Sequence, residues 1–228
     1  MDIKNRILYE DNHLIAVNKL SGELTQGDKT GDEILPDLVK AYIAKKYNKP
    51  GAVYLGVIHR LDRPTSGVVV FARTSKALTR MNKLFVERKT EKTYWAMVEG
   101  TPEKTSDRLE HYLVRNPKQN KSYAHDHEVP HSKKAVLSYS TIAQLDRYTL
   151  LEIQLETGRH HQIRAQLSKI GCVIKGDLKY GAKRSNKDGS IHLLARALSF
   201  IHPVKKEPML ITAQPNLQDP VWKAAIDK

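Results

Sequence analysis

His59-Arg60-Leu61-Asp62-Arg63-Pro64-Thr65-Ser66-Gly67 leads straight into Val68-Val69-Val70-Phe71-Ala72. The β-branched and aromatic run predicts a buried strand, and Pro64 forbids that strand from extending back through the loop. The loop is dense in polar side chains, and its one carboxylate sits between two arginines. Two readings are open. In the first, Asp62 caps the turn and pairs with Arg60 or Arg63, as charged turns commonly do. In the second, it is an anionic nucleophile or base kept ionised by adjacent cations. An opposite charge at ~4 Å is worth about 4 kcal/mol at an effective dielectric of ~20, and carboxylates attack sugar carbons covalently. Spacing does not choose between the two.

Upstream of the loop, Ile7-Leu8-Tyr9 and Leu14-Ile15-Ala16-Val17 predict two strands around a turn at Asp11-Asn12-His13. A helix over residues 32–47 carries Ile34, Leu35, Leu38, Tyr42 and Ile43 at helical spacing, and Pro36 sets its start near Leu35. Residues 53–59 read as a strand. Downstream, a helix over 76–89 is N-capped by Ser75 or Thr74. Strands follow at 93–99, 136–142 and 148–155, then a helix over 161–169, strands at 191–200 and 209–213, and a short closing helix at 221–226. Residues 102–134 are polar and basic, and read as a hairpin or long surface insertion within one domain spanning 1–228. The pattern predicts an α+β fold with a mixed, largely antiparallel sheet and flanking helices. The alternation needed for a doubly wound fold is absent.

Composition narrows the partners. The 228 residues hold 38 Lys+Arg against 25 Asp+Glu, a formal charge of +13, which predicts a polyanion: nucleic acid or an anionic membrane surface. Cys172 stands alone, so no internal disulfide and no Cys-based zinc site is expected. The opening MDIKNRILYEDNH lacks the features of a signal peptide, and no apolar run approaches the ~18 residues of a membrane span. A cytoplasmic protein is the expectation.

Two further stretches carry candidate chemistry. In Leu155-Glu156-Thr157-Gly158-Arg159-His160-His161-Gln162-Ile163-Arg164 a strand ends and a helix begins, so Arg159 and Arg164 are placed to hold phosphate or pair with a distant carboxylate. Neighbouring histidines diverge, and no acid or His cluster stands at ligand spacing, so no metal is expected there. The trio His125, His127 and His131 lies in the polar segment and reads as solvated or RNA-facing. In Lys92-Thr93-Tyr94-Trp95-Ala96-Met97-Val98-Glu99 alternation places Tyr94, Ala96 and Val98 on one side, with Trp95 and Met97 on the other as core. Tyr94 is the aromatic with a polar handle, able to stack on a base or simply to pack.

In this order, the three stretches resemble the RluA family of RNA pseudouridine synthases. Tyr9 to Lys19 resembles its opening motif and His59 to Gly67 its catalytic loop. Thr157 to Arg164, continuing through Gly171-Cys172, Gly176-Asp177 and Tyr180-Gly181, is similar to its later motif, and Ile191-His192 through His202-Pro203 to its closing strand. Leu20 and Val173 stand where relatives often have Pro; neither change removes a functional group. The small RNA-binding domain that many relatives carry ahead of the catalytic one is not expected.

The resemblance implies isomerisation of uridine in ribosomal or transfer RNA: N1–C1′ breaks, the uracil turns, and C5 joins C1′ after the base is flipped into a pocket. It implies Asp62 as the catalytic carboxylate, acting as nucleophile or as base at C2′. Arg164 resembles the arginine that pairs with this carboxylate, Tyr94 the residue that stacks on the flipped uracil, and Arg60 the residue that fills the vacated gap. RNA contacts are implied for His59, Thr65, Arg159 and His161 as well. The reaction is neither redox nor hydrolytic, so it calls for no cofactor and no metal. No obligate protein partner is implied, and a monomer is the default. Two other classes compete: a catalytically idle RNA-binding module, and a nucleosidase that releases free uracil.

Overall fold

The computed structural model describes residues 2–27 and 31–228, and the chain divides into two compact units. The first comprises residues 1–92 and 195–214; the second comprises 93–194 and 215–228.

The first unit begins with β1 (Ile7–Glu10) and β2 (Leu14–Lys19), joined by a turn in which the Asp11 carboxylate accepts from the backbone N–H groups of His13 and Leu14, both at 2.8 Å. Next come α1 (Leu35–Lys46), with its proline in the first turn, the two-residue β3 (Gly56–Val57), β4 (Ser66–Ala72) and α2 (Ser75–Val86). The Thr74 hydroxyl caps α2, accepting from Ala77 N–H at 3.1 Å. β1 pairs with β2, β2 with β4 and β3 with β4, all antiparallel. β2 and β4 are the core of this unit: Leu14 to Val17 and Val68 to Ala72 are all buried, the apolar runs expected of strands covered on both faces.

Gly67 opens β4 with φ of +114°, a region side chains rarely adopt, and a Cβ there would sit 2.3 Å from the Ala195 carbonyl oxygen. Gly67→Ala is therefore expected to destabilise the protein by about 2–3 kcal/mol through overpacking and strain. Its melting curve, compared with that of Ser66→Ala, checks this.

The second unit holds most of β5 (Thr90–Glu99), then β6 (Ser106–Asn116), β7 (Lys121–His125), β8 (Lys133–Gln144), β9 (Tyr148–Leu155) and α3 (Gln162–Lys169). β10 (Leu193–Ile201) enters the first unit at Ala195, where β11 (Pro208–Thr212) pairs with it antiparallel; α4 (Pro220–Ile226) closes the second. Strand order in the second unit is β5-β9-β8-β6-β7, each pair antiparallel. The α+β expectation with a mostly antiparallel sheet agrees with this architecture.

Several boundaries differ from the sequence reading. The segment 102–134, read as a hairpin or a long surface insertion, forms a hairpin of β6 and β7, and β6 also runs eight residues beside β8 as an integral part of the sheet. Its buried positions Leu109, His111 and Leu113 alternate with the less buried Glu110 and Tyr112, a period-two pattern that the overall polarity masks. The strand expected over 53–59 is reduced to two residues. Helix α2 ends at Val86 because Arg88 takes a left-handed turn, φ +56°, while Lys89 N–H bonds to the Leu84 carbonyl at 2.9 Å. Trp95, expected in the core, is half-buried and donates its indole N–H to Glu152 at 3.1 Å.

Candidate active site

The loop at 59–66 lies wholly in the first unit, and its backbone is held from the end of β2. Lys19 is fully buried, and its ammonium donates to the carbonyls of Leu20 (3.0 Å), Arg63 (3.0 Å) and Thr65 (2.7 Å). Gly22 N–H also bonds to the Arg63 carbonyl (2.8 Å), and the Ser21 hydroxyl donates to that of Pro64 (3.1 Å). Thr65, itself buried, donates its N–H to the Asp62 carbonyl at 3.0 Å and closes the turn. Asp62 is half-buried at the start of that turn.

Burial pushes the Lys19 ammonium down to about 8, and the carboxylates of Glu23 and Asp62 oppose that fall. Glu23 is fixed in turn: it accepts from Leu20 N–H at 2.8 Å and pairs with the buried Arg6 guanidinium at 2.6 Å. Asp62 therefore stands on a frame of alternating charges, of which Lys19 and Arg6 are buried and Glu23 half-buried. Sequence reasoning placed Lys19 in the opening motif without giving it a task; the available signal was a lysine closing an otherwise apolar strand.

The other loop residues divide between scaffold and surface. His59 stacks on Phe85 with centroids 5.2 Å apart, and its Nε2 accepts from Val70 N–H at 3.1 Å. Lost hydration, with a smaller push from Lys92, lowers its imidazole to about 4, so at neutral pH the ring is uncharged and fastens the loop to β4. Arg60 is exposed and donates to Gln26 at 2.8 Å, while Arg63 pairs with Asp32 at 2.7 Å.

In the second unit, Arg164 is buried on α3. Its Nε and one terminal nitrogen donate to the buried Asp177 carboxylate at 2.6 and 2.8 Å, and its guanidinium lies 5.0 Å from the Tyr180 ring centroid. Asp177, quoted only as part of a motif by the sequence reading, is thus a partner that fixes the arginine's plane. The Tyr180 hydroxyl bridges the main chain of Ser122, accepting at 2.8 Å and donating at 3.1 Å, and meets His161 Nδ1 at 3.0 Å.

His161 is buried in a left-handed conformation (φ +52°), and burial together with Arg164 pushes its pKa down to about 2. The His160 and His161 rings do not diverge: they stack with centroids 3.8 Å apart, because the left-handed residue turns the second ring back over the first. Arg159 is exposed and donates to the Lys134 carbonyl at 3.1 Å. Tyr94 is half-buried and packs against the cluster formed by Ala96, Val98, Ile153 and Ile163, on the face that alternation assigned to it. Among the described residues, no group of three or more His, Cys, Asp or Glu side chains gathers as a metal site.

Comparison with known proteins adds a second line. The family model described as RNA pseudouridylate synthase matches residues 13–169. The ribosomal large subunit pseudouridine synthase C of Buchnera aphidicola is 33% identical over 218 residues, covering 92% of this chain and 66% of its own length. The tRNA pseudouridine synthase C of Vibrio cholerae is 30% identical over 250 residues, covering 97% of this chain and 94% of its own. Among solved structures, human RNA pseudouridylate synthase domain containing 4 shares the fold with a TM-score of 0.81 at 22% identity, over 99% of this chain and 94% of that one.

Proposed function

Because this chain belongs to the RNA pseudouridylate synthase family, in its RluA branch, we propose that it isomerises uridine to pseudouridine in ribosomal or transfer RNA with Asp62 as the catalytic carboxylate. The observation that carries the reading is the Asp62 turn itself: a half-buried acid on a backbone pinned by a buried ammonium. A rigid mount of that kind keeps a reacting oxygen within the few tenths of an ångström that catalysis requires.

Target uridines lie stacked or paired, so the base must be flipped out at a cost of roughly a few kcal/mol. The excess of 38 basic over 25 acidic residues supplies phosphate contacts to offset it. Tyr94 then stacks on the displaced uracil, near the carbon that finally loses its proton. Arg164, held flat by Asp177, is the fixed cation of the site, and Arg60 fills the gap in the RNA. Thr65, His59 and His161 support RNA binding by shaping the backbone around them, and Arg159 meets the RNA directly. The transformation gains and loses no electrons and no water, so it needs neither cofactor nor metal. The active protein is a cytoplasmic monomer.

The test is release of tritium from RNA carrying uridine labelled at C5, with the product analysed as nucleoside. Tritium release with pseudouridine as product is expected. Free uracil would make the protein a nucleosidase, and RNA binding without either product would make it an idle module. Arg164→Lys keeps the charge but loses the bidentate grip; it is expected to lower kcat about tenfold or more while RNA affinity changes less than about threefold. An equal loss in both would recast Arg164 as a phosphate anchor.

A further inference from the structure

Helix α2 ends in an unusual way for its sequence. The paired hydrogen bonds from Arg88 N–H to the Phe85 carbonyl (3.3 Å) and from Lys89 N–H to the Leu84 carbonyl (2.9 Å) form the termination motif that normally places glycine in the left-handed position. Here that position is Arg88, at φ +56°. Four residues on, Lys92 is half-buried with its ammonium 5.9 Å from the Phe85 ring centroid, and His59 stacks on the same ring. Burial and the nearby Arg88 both lower the Lys92 pKa. Among the described residues neither Arg88 nor Lys92 forms an ion pair, whereas their neighbour Lys89 is paired with Glu87 at 2.9 Å.

Three unfavourable choices therefore coincide: a half-buried cation without an acid, a second, exposed cation four residues before it, and a side chain in a conformation suited to glycine. One bound anion relieves the first two and gives a reason for the third. We propose that Arg88 and Lys92 form a phosphate-binding site for one phosphodiester of the RNA substrate, next to the root of the Asp62 loop. The inference rests on the proposed RNA activity and specifies which surface of the first unit grips the strand. His59 couples the two features, since its ring touches Phe85 on the anion side and its Nε2 holds β4 on the loop side.

The experiment measures RNA affinity by filter binding and turnover by tritium release, both across a potassium chloride series. Lys92→Met is expected to weaken RNA binding several-fold and to make the slope of log K against log salt shallower by about 0.7, the share of one phosphate contact. Lys92→Arg should keep the slope. Arg88→Gly is the complementary variant: glycine suits the left-handed position, so its melting temperature should rise while its RNA affinity and salt slope fall. Unchanged slopes in both Lys92→Met and Arg88→Gly would overturn the site, as would an Arg88→Gly protein that melts higher and binds as tightly as before. If the unsubstituted protein forms no pseudouridine, the activity reading fails, yet the salt slopes still decide the phosphate site independently.

Discussion

Asp62→Asn and Asp62→Ala are each expected to lower pseudouridine formation at least about a thousandfold, as removal of a group acting directly on the reacting bonds does. Folding should be nearly untouched. The turn is closed by the Asp62 carbonyl, and the clamp acts on the carbonyls of Arg63, Pro64 and Thr65, so both substitutions leave those main-chain bonds in place. RNA affinity should also survive, because the phosphate contacts come from the basic surface. Single-turnover tritium release, read beside filter binding and thermal melting, separates the three quantities. Either variant retaining more than about a tenth of the activity would remove Asp62 from the chemistry.

Lys19→Met should have the largest effect on the protein as a whole. It removes the ammonium from three main-chain acceptors, two of them in the Asp62 loop, and each carbonyl left dry costs about 1–3 kcal/mol. A loss of about 3 kcal/mol or more in stability is expected, with turnover falling about a hundredfold in whatever fraction folds, since small displacements of a reacting group cost that much. Denaturant melts and rates per folded molecule check both parts.

The same residue predicts a pH signature. Its folded pKa, about 8, lies below the ordinary 10.5. Between those values the unfolded chain keeps a proton that the folded chain has released, so this group's contribution to stability rises with pH across the window. Activity should move the other way: above about pH 8 the ammonium becomes an amine, with one hydrogen fewer to donate to the three carbonyls that hold the loop. An alkaline limb near 8 is expected in kcat/KM, and Lys19→Arg, whose charge persists, should abolish that limb if it folds.

Element type was largely readable from residue patterns, and the misses have physical causes. Strands with continuous apolar runs, β2 and β4, stand out because they are covered on both faces. β6 did not, because its buried positions are separated by Glu110 and Tyr112 and flanked by Asp107, Arg108 and Arg115, so the segment's charge dominates any averaged reading. The end of α2 was overrun because an arginine, rather than glycine, occupies the left-handed position. At the candidate site, the acid and the arginines were visible as residue types in motifs. The tasks of Lys19, Glu23 and Asp177 were not, because they depend on folding: Lys19 reaches carbonyls 44 and 46 residues away, and Asp177 meets Arg164 across 13 residues. The tasks of His59 and His161 were also hidden. Their hydrogen bonds and burial make them neutral fasteners, which no spacing reveals.

The acceptors beneath Asp62 are main-chain oxygens, and every amino acid has one. The clamp is therefore blind to the identity of the side chains displayed above it. Arg63, exposed and joined to Asp32 on the surface, can be exchanged for another residue without loosening the mount. Side-chain identity at that position is thus free to drift while the Asp62 turn stays where it is.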